Sequence, residues 1–218
     1  MKTIASCVEQ IIVSSPFLEE GLSRQIINYS ALAKDLNAQI SEMMRRPVKD
    51  GAIMMALRRY HQPLNIENSN RLKHTLKSLG DITVRSNLCD FTFQNSQSLI
   101  QNHSQILKRI SANHQIFYAF TRGVFESNII ISASEKDKLL DAFENEMLKG
   151  LQDKLSAISM YLPKGNSKVS GLYYQIFKQL AWNNITLYEV VSTTNEFTIV
   201  VEDHLVDQAF SIIKRLKD

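Results

Sequence analysis

From Leu88 onward one order of elements is read twice, and this repetition limits the possible folds more than any other feature of the 218 residues. Alternating apolar residues mark strands over 88–94, 115–121 and 127–133. Apolar residues at helical spacing mark helices over 98–110 and 135–148. A second pass has strands over 155–162, 185–191 and 196–201 and helices over 172–183 and 204–216. The three strands and the second helix begin 67, 70, 69 and 69 residues after their counterparts, which argues for duplication of one β-α-β-β-α unit. Ile129, Ile130 and Ile131 supply a β-branched run, while Leu205, Val206, Ala209, Phe210, Ile213 and Leu216 recur at helical intervals. Each unit is expected to be a ferredoxin-like antiparallel sheet with both helices on one face. A fourth strand is missing after each second helix. The open edge must then be paired by something else, with residues 81–86 or a partner chain as the candidates.

The first third has another character. Residues 1–80 carry a net charge of +4 and residues 81–218 a net charge of −1, within an overall +3. A basic module suits a polyanion, although a charge of this size is also ordinary scatter. Ile4, Val8, Ile11 and Ile12 lie at helical spacing ahead of Pro16. Ser30 is read as capping a short helix through Leu36, Asn37 as a sharp turn, and 38–45 as another short helix ended by Pro47. Asp50 is read as the cap of the helix 51–60, in which Ile53, Ala56 and Leu57 face inward. A further helix over 68–79 stops at Gly80. The strand 81–86 then pairs with 88–94 as a wing, or else enters the next domain.

This arrangement resembles a winged helix-turn-helix domain with 51–60 in the recognition position. The resemblance implies contacts to double-stranded DNA, with Arg45, Arg46, Lys49, Arg58 and Arg59 on phosphates. Arg58 and Arg59 would equally suit the negative end of their own helix dipole, and Gly51, Met54 and Met55 cannot read base edges. DNA contact and protein contact therefore both remain open. The chain is read as α+β: a winged-helix-like module over 1–86, a divergent unit over 87–150 and a second unit over 151–218.

In the second unit, Lys164-Gly165-Asn166-Ser167-Lys168-Val169-Ser170-Gly171 leads into Phe177-Lys178-Gln179-Leu180-Ala181. Ile185-Thr186-Leu187-Tyr188 and the Ser192-Thr193-Thr194-Asn195 hairpin then follow in register. This stretch closely resembles the small-molecule-sensing ACT domains at the C-terminus of aspartate kinases; the detailed match covers about 158–210. The first unit shares only the element order, with Asn95-Ser96-Gln97-Ser98 where the glycine should stand. A glycine that opens a helix leaves free amides and a positive dipole end, which suit a carboxylate. The resemblance implies an amino-acid effector held by Asn166, Ser167, Ser170, Gly171 and Leu172, with Thr186, Leu187 and Tyr188 contributed by a neighbouring domain. It also implies dimerisation through these units. Many such domains bind nothing, and Ser170 could simply cap its helix.

Catalytic chemistry is not legible in this chain. No phosphate loop, dinucleotide fingerprint or zinc-binding helix motif occurs, and an aspartate kinase would need a large nucleotide-binding domain that a short helical module replaces. The acidic run Glu135, Asp137 and Asp141 is interleaved with Lys136 and Lys138 and suits a helix start. Trp182 and Tyr173 read as core aromatics. Cys7 and Cys89 are too few for a disulfide framework or a four-thiolate site. A non-enzymatic cytoplasmic regulator without cofactor or metal is expected, one that senses an amino acid and regulates transcription through its winged helix. The rival reading is a subunit that docks on an amino-acid biosynthetic enzyme and does not touch DNA. Neither reading involves a membrane.

Overall fold

The computed structural model describes residues 2–60, 66–111, 113 and 115–217, with the side chains of 16, 20 and 66–70 left aside. The chain divides into two compact units, Met1–Ser69 and Asn70–Asp218.

Among the described residues of the first unit every regular element is a helix. Its helices are α1 (Ile4–Val13), α2 (Pro16–Ser23), α3 (Tyr29–Met44) and α4 (Asp50–Arg59), and α5 (Ile66–Lys77) starts at its end. Thr3 opens α1 with a capping box: its hydroxyl accepts from the Ser6 amide, and Ser6 Oγ accepts from the Thr3 amide. Cys7, Val8, Ile11, Ile12, Leu32, Ala33, Leu36, Ile40, Ile53 and Leu57 make one core. The expected break at Asn37 does not occur. Residues 29–44 form one continuous helix, capped by Asn28 and not by Ser30; Asn28 Oδ1 accepts from the amides of Ser30 and Ala31. Asn37 stays helical because its side chain faces the following turn, where Nδ2 donates to Val48 O and to Asp50 Oδ1. Ser41 Oγ accepts from the Val48 amide in the same network. Asp50 is the first residue of α4 and not its cap, which is Lys49.

The second unit is built on a single antiparallel sheet of six strands. They are β1 (Ile82–Gln94), β2 (Tyr118–Arg122), β3 (Glu126–Ser132), β4 (Leu148–Tyr161), β5 (Glu189–Ser192) and β6 (Glu196–Glu202), in the order β2-β3-β1-β4-β6-β5. Its helices are α6 (Leu99–Ile110), α7 (Lys136–Ala142), α8 (Leu172–Trp182) and α9 (Val206–Arg215). Residues 82–85 do not turn back as a wing. They run straight on through Asn87 into the strand that the repeat begins with, and Ile82, Thr83, Val84 and Arg85 pair with Met160, Ser159, Ile158 and Ala157. The first unit therefore has no strand among its described residues, and residues 70–86 belong to the sheet unit.

This pairing supplies both missing fourth strands. We call lobe 1 the latter half of β1 with β2, β3, α6 and α7. Lobe 2 is the latter half of β4 with β5, β6, α8 and α9. The early part of β4, residues 148–152, pairs with the latter half of β1 and completes lobe 1. The early part of β1, residues 82–85, completes lobe 2. The expected helix 135–148 thus ends at Ala142, because Leu148 already belongs to a strand.

The expected pair of two-layer sandwiches becomes one folded sheet. Cys89, Phe91, Phe93, Ile129 and Ile131 pack under α6 and α7, and Ile158, Met160, Phe197, Ile199 and Val201 pack under α8 and α9, with Leu72, Leu76 and Leu79 beside them. On the opposite face Leu88, Ile130, Leu155, Ala157 and Val200 are also buried. Among the described residues the partly buried hydrophobics packed against them, Phe117, Ala119 and Val191, lie in or next to strands, so the sheet covers itself. Asn128 in β3 and Glu189 in β5 are four strands apart, which is about 19 Å in a flat sheet, yet Asn128 Nδ2 donates to Glu189 Oε1 at 3.3 Å. Left-handed residues Asn87 (φ 60°) and Lys154 (φ 58°) lie in the two central strands, β1 and β4, where the register shifts. The two halves of the sheet therefore face each other, with helices outside.

Candidate ligand site

The loop between β4 and α8 is sewn to the hairpin that joins β5 and β6. The Leu162 amide donates to Asn195 O at 2.7 Å, and Asn195 Nδ2 returns a bond to Leu162 O at 3.0 Å. Asn166 is buried, and its Nδ2 is spent on Pro163 O at 3.1 Å and Thr194 O at 2.8 Å. It shapes the loop through that amide. Ser167 and Ser170 are exposed on the same loop.

Gly171 has φ 86°, a left-handed conformation that a side chain would strain, and a Cβ there would lie 3.4 Å from Leu72 Cδ2 of α5. It is the cap of α8, and no side chain caps that helix, Ser170 included. The first helical bond runs from the Gln175 amide to Gly171 O at 3.0 Å. Among the described residues no acceptor meets the amides of Leu172, Tyr173 or Tyr174. Three donors at the positive end of the dipole therefore remain for an anion.

Thr186, Leu187 and Tyr188 precede β5, which begins at Glu189 and not at 185. The loop 163–171 abuts the far end of that strand, beside Ser192 to Asn195. Four residues of extended chain separate Tyr188 from Ser192, about 14 Å. The chain thus groups Asn166, Ser167, Ser170, Gly171 and Leu172 at one end of lobe 2 and Thr186, Leu187 and Tyr188 at the other.

Two aromatics differ from expectation. Tyr173 and Trp182 are not core residues: they are 38% and 62% exposed on α8. Tyr173 Oη lies 3.3 Å from Ser192 Oγ, and its ring leans on Phe197 at 4.9 Å, which places it beside the open amides. Its position in the first turn of a glycine-capped helix is the signal that points there.

Lobe 1 has a different helix start. Ser98 precedes α6 in a right-handed conformation, so no glycine is required. Ser96 Oγ and Ser98 Oγ donate to the two carboxylate oxygens of Glu146 at 2.5 and 2.7 Å, and Asn102 Nδ2 adds a third bond at 2.9 Å. Glu146 is only 8% exposed.

The folded-over face holds a second acidic grouping. Burial raises the pKa of Asp90, against the lowering effect of the bond from Asn128. Burial also raises that of Glu189, with Asp90 adding repulsion. The thiol of Cys89 is pushed up to about 12, chiefly by burial. Its bond to Asp153, together with Lys136 beside it, holds the Asp153 carboxyl below the usual range. No cluster of three or more metal-ligating side chains occurs among the described residues, nor any helix long and apolar enough to cross a membrane.

In the helical unit, Arg45, Arg46, Lys49, Arg58 and Arg59 are all exposed. Arg45 ends α3 at φ 53°, and Arg46 and Lys49 flank the turn that Asn37 and Ser41 hold.

No family model matches the chain, and no curated protein does. Its fold is nevertheless found among solved structures. The regulatory subunit of aspartate kinase from Thermus thermophilus superposes with a TM-score of 0.52 at 10% identity, covering 65% of this chain and 99% of that one. The corresponding subunit from Thermus flavus gives 0.51 at 8% identity over 64% and 99%. Clostridium acetobutylicum aspartate kinase, an allosteric enzyme, gives 0.52 at 14% identity, over 63% of this chain but 34% of the enzyme. At such identities the likeness is one of fold.

Proposed function

We propose that the chain is a non-catalytic regulatory protein whose sheet unit senses an amino acid or a similar small carboxylate. The observation that carries this reading is the start of α8, where Gly171 leaves three amides without acceptors beside a loop of exposed hydroxyls. The effector carboxylate would sit on the amides of Leu172, Tyr173 and Tyr174, with Ser167 and Ser170 around it. Thr186, Leu187 and Tyr188 would come from a second copy, because they lie at the far end of β5. Likeness of fold to aspartate kinase regulatory subunits supports a sensing role. The test is a thermal-shift screen of the amino acids on the full chain. A ligand at 100 times its dissociation constant stabilises by about 2.7 kcal/mol. Failure of all of them to raise the melting temperature overturns the reading, as does a ligand that leaves the Gly171→Ala variant equally stabilised. Light scattering should show a dimer in the presence of the effector.

For the helical unit we propose double-stranded DNA as partner, on the strength of five exposed cations at the α3–α4 turn and along α4. Linked to effector binding by the usual 1–3 kcal/mol of allosteric coupling, this would make a transcriptional regulator. Retention on random duplex should fall with salt, and the Arg58→Ala/Arg59→Ala variant should lower the slope by about one for each phosphate that an arginine no longer neutralises. Unchanged retention favours the rival, in which the chain docks on an amino-acid biosynthetic enzyme.

A further inference from the structure

The two lobes can be aligned through their backbone hydrogen bonds. At the end of the first strand of lobe 1, the Gln94 amide donates to Met147 O and the Asn95 amide to Phe125 O. In lobe 2 the Tyr161 amide donates to Asp81 O and the Leu162 amide to Asn195 O. Met147 therefore corresponds to Asp81, and Glu146 to Gly80. The residue whose side chain fills the helix start in lobe 1 is matched by one without a side chain in lobe 2. A Cβ at Gly80 would lie 2.9 Å from Tyr161 Cβ, so that position has no room for even the smallest substituent.

We infer that Glu146 is a built-in occupant of lobe 1: its carboxylate takes the place that an effector carboxylate would take at the start of α6, and closes that lobe to external ligands. Both oxygens are satisfied, one by Ser96 and the other by Ser98 and Asn102, and Ser96 Oγ in turn accepts from the Leu99 amide at 3.0 Å. An arriving carboxylate would have to displace a buried one whose donors are already in place. Glu146 lies two residues before β4, the strand that completes lobe 1, so the same contact ties that strand to α6. Joined to the sensing role proposed above, on which this clause rests, it limits the chain to one effector carboxylate, held by lobe 2.

The test is acetate rescue of the full chain. Glu146→Ala should melt lower than the parent and recover in sodium acetate relative to sodium chloride at equal ionic strength. The parent and Asn102→Ala, which keep the carboxylate in place, should melt alike in the two salts. Recovery absent from Glu146→Ala, or shared equally by the parent, overturns the inference. Should Glu146→Ala not fold, the near-isosteric Glu146→Gln decides: the amide nitrogen opposes a donor, and its melting temperature should fall by about 3 °C or more. An unchanged value overturns the inference. Calorimetry with whichever amino acid raises the melting temperature should give one site per chain, and two sites in the parent would also overturn it. If no amino acid binds, the sensing role fails while the acetate result still stands or falls by itself.

Discussion

Lobe 1 and lobe 2 share one plan, and they differ where the first helix begins. In lobe 1 two serines and an asparagine hold Glu146 there. In lobe 2 the residue aligned with Glu146 is Gly80, and the first helix has a glycine cap with open amides and Leu72 close to Gly171. One lobe is thus satisfied at its helix start by its own chain, and the other is left with unspent donors. The backbone dipole at a helix start accepts an anion supplied by the chain itself as readily as a dissolved one.

The most forceful way to break the comparison is to ask whether the lobes are separable. Phe93→Ala in lobe 1 removes a ring stacked 4.9 Å from Phe143, and Phe197→Ala in lobe 2 removes one that supports Tyr173 and Phe177. Each should cost about 3–5 kcal/mol. Because each lobe lends the other its fourth strand, both variants should shift the urea transition of the single tryptophan, Trp182 in lobe 2, as far as that of the far-ultraviolet dichroism. A Trp182 transition that ignores Phe93→Ala would show two independent bodies.

A smaller effect sharpens the difference between the helix starts. Gly171→Ala forces a side chain into a left-handed conformation next to Leu72 and should cost about 1–2 kcal/mol. Gly165→Ala carries the same conformational strain in open space, so it should cost less. Equal or greater loss at Gly165, measured by urea unfolding, would mean that Leu72 is not pressed by the substitution.

The gentlest test is pH, where carboxylates of the two faces pull in opposite directions. Asp90 and Glu189 have raised folded pKa values, so the native state holds protons that the unfolded chain has released. Their contribution is present below the ordinary carboxylate range and is lost as pH rises through the raised values. Asp90→Asn should therefore flatten the decline of stability on the alkaline side of that range. Asp153 is depressed, so its contribution is present above the ordinary carboxylate pKa and is lost as pH falls through the lowered one. Asp153→Asn should flatten the acid limb instead. Melting temperatures across pH 3–8 check both signs.

The repeat was legible in the sequence because strand and helix periods follow from residues that face a core, as Ile129 and Ile131 or Leu172 and Ile176 do. The candidate edge strand at 81–86 was legible for the same reason. The assignment of 82–85 to lobe 2 was not, since it depends on pairing with Met160 and Ile158 far along the chain. The continuous α3 was hidden because Asn37 has a side chain that suits turns, and only its bonds to Val48 and Asp50 show why a helix keeps it. At the candidate site, Gly171 announced itself by type. The role of Glu146 did not, because a glutamate in a charged stretch gives no sign that three donors from another element await it.

The exchange of edge strands also bears on how the molecule comes into being. Residues 82–85 leave the ribosome before the rest of lobe 2 has been translated, and they must wait for Met160 to emerge before they gain a neighbour. The last piece of the second repeat is thus the first to be synthesised. Nascent chains halted within lobe 2 would carry that strand bare, a bonding edge offered to whatever passes.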